Sequence, residues 1–203
     1  ELILSYLNDS VSLGSIEFSK IWTSFCEIAE IVEFEQEQKV QIAQSAFQAA
    51  SSYDGSAIDL ERPLFAMKPF FGAIGPELIG QILELLFSIA EKLLTDEENL
   101  PNEVLSLYTI AAPYYDADEY YAFLKGKMEI SDFTDQGQLT TFIVAFSILN
   151  EVFDTLVNQF RKDIEFYVHI FVECVATENE LLLCCICEML NNFNEKFEKP
   201  VIE

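Results

Sequence analysis

His169 is the only histidine in this 203-residue chain, so acid–base or metal chemistry would have to run through it, the cysteines or the carboxylates. It lies between Val168 and Ile170 in an apolar stretch, and no serine or cysteine motif frames it as a base. A packed or partly exposed histidine is the simpler reading. Cys184, Cys185 and Cys187, with Cys174 earlier, could be combined with His169 into a zinc site. However, adjacent helical positions point about 100° apart, and ligands paired at knuckle spacing are missing. Small buried thiols are expected instead. The 35 Asp and Glu residues allow catalytic pairs to be drawn anywhere, which makes each pairing uninformative. The seven glycines form no phosphate loop, and Asp116-Ala117-Asp118-Glu119 lacks the glycine and terminal Glu of a calcium loop. No catalytic, cofactor-binding or metal-binding residue is assigned, and the expectation is a binding protein rather than an enzyme. A compact helical enzyme would require a closed pocket with converging polar groups.

The wider composition narrows the partners. Apolar residues make up 51% of the chain, enough to offset the entropy of folding, so disorder is not expected. The 11 Lys and Arg leave a net charge of −24. Direct nucleic-acid binding needs clustered Lys and Arg and is not expected, whereas a basic protein or peptide partner fits the charge. Acidity also serves simple solubility. Five cysteines, Cys26 with the four above, are an odd number in a chain too long to need staples, which points to reduced thiols in a cytosolic or nuclear setting. The most apolar stretches carry Glu84, Glu91, Glu173 or Glu188, so no membrane insertion is expected. The opening Glu1 and absence of a signal-like segment fit a fragment of a longer array.

Apolar periodicity supplies the elements. Phe18, Ile21, Trp22, Phe25, Ile28, Ala29 and Val32 form one helical stripe, with Trp22 expected in the core. Leu78, Ile82, Leu85, Leu86, Ile89 and Leu93 form another, opened by Gly75-Pro76. Phe142, Ala145, Phe146, Leu149, Phe153 and Leu156 form a third, and Leu182, Cys185, Ile186, Met189, Leu190, Phe193 and Phe197 a fourth, preceded by Thr177 and Glu180 in capping-box positions. Ten helices follow, over 1–8, 16–33, 37–51, 58–74, 76–94, 100–112, 117–129, 137–156, 160–176 and 179–197, with no strand pattern. Short links make consecutive helices antiparallel, giving about five helix pairs. The second helices align on Ala29, Gly72, Ala111, Leu149 and Leu190, spaced by 43, 39, 38 and 41 residues. A two-helix period near 40 predicts an all-α superhelix, a HEAT-repeat solenoid read as a single array over 1–203. A compact bundle with similar helix lengths is the alternative.

A polar register accompanies the apolar one. Ser147, Asn150, Glu151 and Asp154 occupy i, i+3, i+4 and i+7, and a shift of 41 residues gives Glu188, Asn191, Asn192 and Glu195. Glu27 and Glu30 hold comparable positions in the first pair. These ten residues are the candidate partner-binding set; the eight of the last two pairs are expected to form side-by-side ladders, which fade in the first pair, where Ile31 and Phe34 follow. An ordinary solvated helix face would have the same composition.

From Val104 to Phe197 the residues resemble the importin-β, or karyopherin-β, family of nuclear transport receptors. Ala112-Pro113-Tyr114-Tyr115-Asp116, followed by Tyr120-Tyr121-Ala122-Phe123-Leu124, resembles the aromatic turn and following helix of importin repeats. The runs Phe142 to Phe153 and Phe166 to Val172 are similar to two further helices of that family. The Asp-to-Arg ladder of many HEAT arrays is not carried, since Val40 precedes Gln41 and Val104 precedes Leu105. The resemblance implies a curved solenoid whose second helices line a concave face that binds basic cargo or Ran GTPase. It also implies binding of Phe-Gly nucleoporins on the convex side, and residence in cytoplasm and nucleus. The alternative is a HEAT-repeat scaffold or regulatory subunit unrelated to transport.

Overall fold

The structure, a computed structural model, describes residues 2–52, 57–97, 100–177 and 179–196. Among these the protein is all-α, with eleven α-helices, three short 3-10 segments and no strand. The helices are α1 (Leu2–Asp9), α2 (Ser15–Ile31), α3 (Gln36–Ser52), α4 (Ala57–Phe65), α5 (Pro76–Glu97) and α6 (Asn102–Ala111), followed by α7 (Ala117–Met128), α8 (Gln136–Glu151), α9 (Phe153–Lys162), α10 (Ile164–Ala176) and α11 (Glu180–Lys196). The chain forms two compact units, residues 1–115 and 116–203.

In the first unit, α1 packs on α3 and α2 on α4, while α3 and α5 both pack on α4. Trp22 is fully buried in the α2 stripe, between Phe18 and Phe25. Its indole N–H donates to Ser10 Oγ at 3.1 Å, and that hydroxyl donates to the Leu7 carbonyl at 2.6 Å, so the one polar atom of a large core ring is satisfied. The helix expected over 58–74 is two elements: α4 ends at Phe65, two residues beyond Pro63, and a 3-10 segment runs from Lys68 to Ala73 with Pro69 in its first turn. Proline withdraws an amide from each, which shortens the α-helix. Gly72 lets the Tyr114 ring approach, since a Cβ there would lie 3.1 Å from it.

In the second unit, α8 buries Leu139, Phe142, Ile143, Val144, Ala145, Phe146, Ile148 and Leu149, which cover most of its circumference. A helix apolar nearly all round must be central, and α7, α9 and α11 all pack against it. Phe193 of α11 contacts the rings of Phe153, Phe160, Tyr167 and Phe171 at 5.3 to 6.2 Å.

Two boundaries in this unit differ from the sequence expectation. The helix expected over 137–156 ends at Glu151. Val152, at φ −95° and ψ 10°, begins a 109° corner into α9. The next helix starts at Ile164 rather than at residue 160, after a second break at Asp163. Turning at Val152 lets Phe153, Leu156 and Phe160 bury on one face of α9. The expected capping box is also displaced. Thr177 donates its hydroxyl to the Cys174 carbonyl at 2.7 Å, finishing α10, while Asn179 Oδ1 accepts the Leu182 amide at 3.1 Å and caps α11. Phe197 lies outside the described residues.

Candidate functional site

The polar ladder expected on α8 and α11 is not formed as two matching rows. Ser147 and Asn150 turn toward α11: Ser147 Oγ lies 3.8 Å from Cys185 Sγ, and the Asn150 side-chain amide donates to the Cys185 carbonyl at 3.2 Å. Asn150 Oδ1 is buried with no hydrogen-bond partner. Glu151 is exposed at the end of α8, and Asp154 is exposed on α9, beyond the corner at Val152. The spacing i+7 therefore crosses a bend and no longer shares a face with Ser147. On α11, Glu188 and Asn191 are exposed and Asn192 is half-buried. Glu27 is exposed on α2. The side chains of Glu30 and Glu195 lie outside the described residues.

On α11 the exposed residues keep Glu188 and Asn191 of the expected set and add others. Glu180, Cys184, Cys187, Asn191 and Asn194 are all exposed at steps of four, three, four and three, one straight stripe, with Glu188 beside it. Two of the thiols are thus outside rather than in the core. Cys174 and Cys185 are buried, and burial pushes the Cys174 thiol up to about 12. Among the described residues no group of three or more His, Cys, Asp or Glu is arranged to hold a metal ion.

A second feature of this unit is a cleft of about 490 Å³ between α10 and the turn that follows α7. From α10 come Phe166, His169, Ile170 and Glu173, spaced i, i+3, i+4 and i+7 on one face. From the turn come Glu129, Ser131 and Phe133, over a floor that includes Met128 and Ile130. His169 and both carboxylates are exposed, and Ile170 is buried. The turn is tightly made. Glu129 sits at φ −73° and ψ 83°, and the Ile130 amide donates back to the Met128 carbonyl at 2.9 Å, an inverse γ-turn. Ser131 donates both its amide and its hydroxyl to Gln138 Oε1 at 3.0 Å. Asp132 accepts the hydroxyl and the amide of Thr134, which hold its carboxyl below the usual range.

Beside the cleft, a chain of hydrogen bonds fixes the start of α10. Tyr167 donates to Tyr121 Oη at 3.0 Å, Tyr121 donates to Asp163 Oδ2 at 3.0 Å, and Lys125 Nζ donates to the same oxygen at 2.6 Å. Hydrogen bonding from Lys125 holds the Asp163 carboxyl below its usual range, while burial raises both tyrosines. Lys125 Nζ also lies 4.8 Å from the centre of the Phe166 ring.

No family model, curated protein or solved structure matches this chain.

The α11 stripe offers carboxylates and Asn side chains that can both donate and accept, and the cleft combines aromatic rings with carboxylates. The cleft was missed in the sequence because its α10 face falls inside a stretch dominated by apolar residues. The signal that marks it is the spacing of Phe166, His169, Ile170 and Glu173.

Proposed function

We propose that the chain is a protein-binding segment of a HEAT-type solenoid, of the importin-β kind, acting in cytoplasm and nucleus on basic protein segments. The observation that carries this reading is the exposed α11 stripe from Glu180 to Asn194 in a chain of net charge −24. The fourteen helical steps from Glu180 to Asn194 extend about 21 Å, the span of about six residues of extended peptide. Asn191 and Asn194 can pair with such a backbone, and Glu180 and Glu188 with its Lys or Arg side chains. Exposed valines on α10, Val168, Val172 and Val175, and exposed Ile3, Tyr6, Ile28 and Ile31 on α1 and α2 support stacking against further helix pairs. The packing of α1 on α3 and α2 on α4 supports the same repeat.

Each exposed charge pair contributes about 0 to 1 kcal/mol, so the binding is many weak contacts and strongly salt-sensitive. Titration of a Lys- and Arg-rich peptide at low and high salt tests it. Replacing Glu180 and Glu188 together by their amides should weaken low-salt binding by about threefold or more. Unchanged affinity in that variant, or at high salt, rules the mechanism out. Pull-down with Ran-GTP and with Phe-Gly repeats then separates a transport receptor, which retains both, from a HEAT scaffold or regulatory subunit, which retains neither.

A further inference from the structure

We propose that the cleft between α10 and the Glu129–Phe133 turn receives one arginine side chain of the basic segment; the assignment rests on the reading of the chain as a receptor for such segments. The lining is what a guanidinium requires. Phe133 and Phe166 line the cleft with aromatic rings, Glu129 and Glu173 supply carboxylates, and Met128, Ile130 and Ile170 supply apolar contact for the methylene stem. A cleft of about 490 Å³ holds one long side chain together with water.

The charge of the lining argues for a cation in particular: Glu129 and Glu173 are exposed carboxylates, and no Lys or Arg is among the lining residues. The Lys125 ammonium, 4.8 Å from the Phe166 ring centre, is paired with Asp163 at 2.6 Å, which offsets the charge that would otherwise repel an incoming cation. The turn carrying Glu129 and Phe133 is already fixed by the hydrogen bonds of Ile130 and Ser131, so little ordering is needed on binding. Arginine is favoured over lysine because a planar guanidinium stacks on a ring while pairing side-on with a carboxylate. His169, on the same α10 face, is the basic side chain among the lining residues.

The test is an NMR titration of the full 203-residue chain with acetyl-Gly-Arg-Gly-amide, and with the same tripeptide carrying citrulline or lysine. The arginine peptide should shift the resonances of Phe133, Phe166 and Glu173, with citrulline about tenfold weaker and lysine weaker by a few-fold. Glu129→Gln with Glu173→Gln, two exposed positions whose change spares the core, should weaken the arginine peptide about fivefold or more. Phe166→Leu should weaken it also. Equal binding of citrulline, equal binding of lysine, or no effect of the double substitution overturns the assignment. If the long basic peptide still depends on the α11 carboxylates while the tripeptide leaves the cleft unperturbed, the cleft assignment falls and the receptor reading stands. If the long peptide fails to bind as well, both fall.

Discussion

Tyr167 donates its hydroxyl proton to the hydroxyl oxygen of Tyr121 at 3.0 Å, and Tyr121 passes the same polarity on to Asp163. The order of donors makes the two tyrosines unequal. Tyr121→Phe removes the acceptor on which the buried Tyr167 hydroxyl depends and should cost about 1 to 3 kcal/mol. Tyr167→Phe leaves Tyr121 bonded to Asp163 and should cost about 1 kcal/mol. Urea unfolding of both variants checks the ranking, and a larger loss for Tyr167→Phe would contradict it.

Asp163 makes stability fall on the acid side. Its carboxyl is held below the ordinary value of about 4, so its contribution is complete above that value. It is lost as pH drops through the lower folded value. Asp163→Asn should therefore cost about 1 kcal/mol at neutral pH, allowing for the water that reaches both partners, and the gap to wild type should close below about pH 4. A gap that persists at pH 2.5 would show that the packing of Asp163, not its charge, matters.

Asn150 carries a buried, unpartnered Oδ1 beside its one hydrogen bond to Cys185. Truncation removes both a favourable and an unfavourable group, so Asn150→Ala should change stability by less than about 1 kcal/mol. Asn150→Asp places a charge where no donor waits, and should destabilise by about 2 kcal/mol or more at neutral pH. Burial raises the pKa of that new carboxyl, so protonation at mildly acidic pH should restore most of the loss. Thermal melts across pH read this out.

Native thiol labelling should distinguish the cysteines. Cys184 and Cys187 are exposed on α11 and should react within minutes, whereas Cys174 and Cys185 are buried and should react only on opening of the unit. Mass spectrometry of a short maleimide pulse checks the pattern. Fast labelling of Cys174 would be incompatible with the packing of α10 on α11.

Much of the helical layout was legible in the sequence because amphipathic stripes are strong signals. Trp22 lay in such a stripe and is buried, and Gly75-Pro76 does open α5. The corners at Val152 and Asp163 were not legible, since neither position carries proline or glycine. Tertiary burial of Phe153 and Phe160 selects the break, and a periodicity count runs straight through it. The same corner takes Asp154 off the face of Ser147, while Ser147 and Asn150, before the corner, face α11; Glu188 and Asn191, on an unbroken helix, are exposed. Asn179 lost the cap to Thr177 in the sequence because a capping box matches on residue type, while the cap depends on which carbonyl the threonine hydroxyl reaches.

The corner at Val152 also turns α9 into a lever. Ten helical residues reach about 15 Å, so a rotation of about 10° at Val152 would carry the far end of α9 by roughly 3 Å. At that far end stands Asp163, tethered to Lys125 and Tyr121 of α7. The tether joins that far end to α7, so α7 as well as α8 bears on the direction α9 takes after the corner.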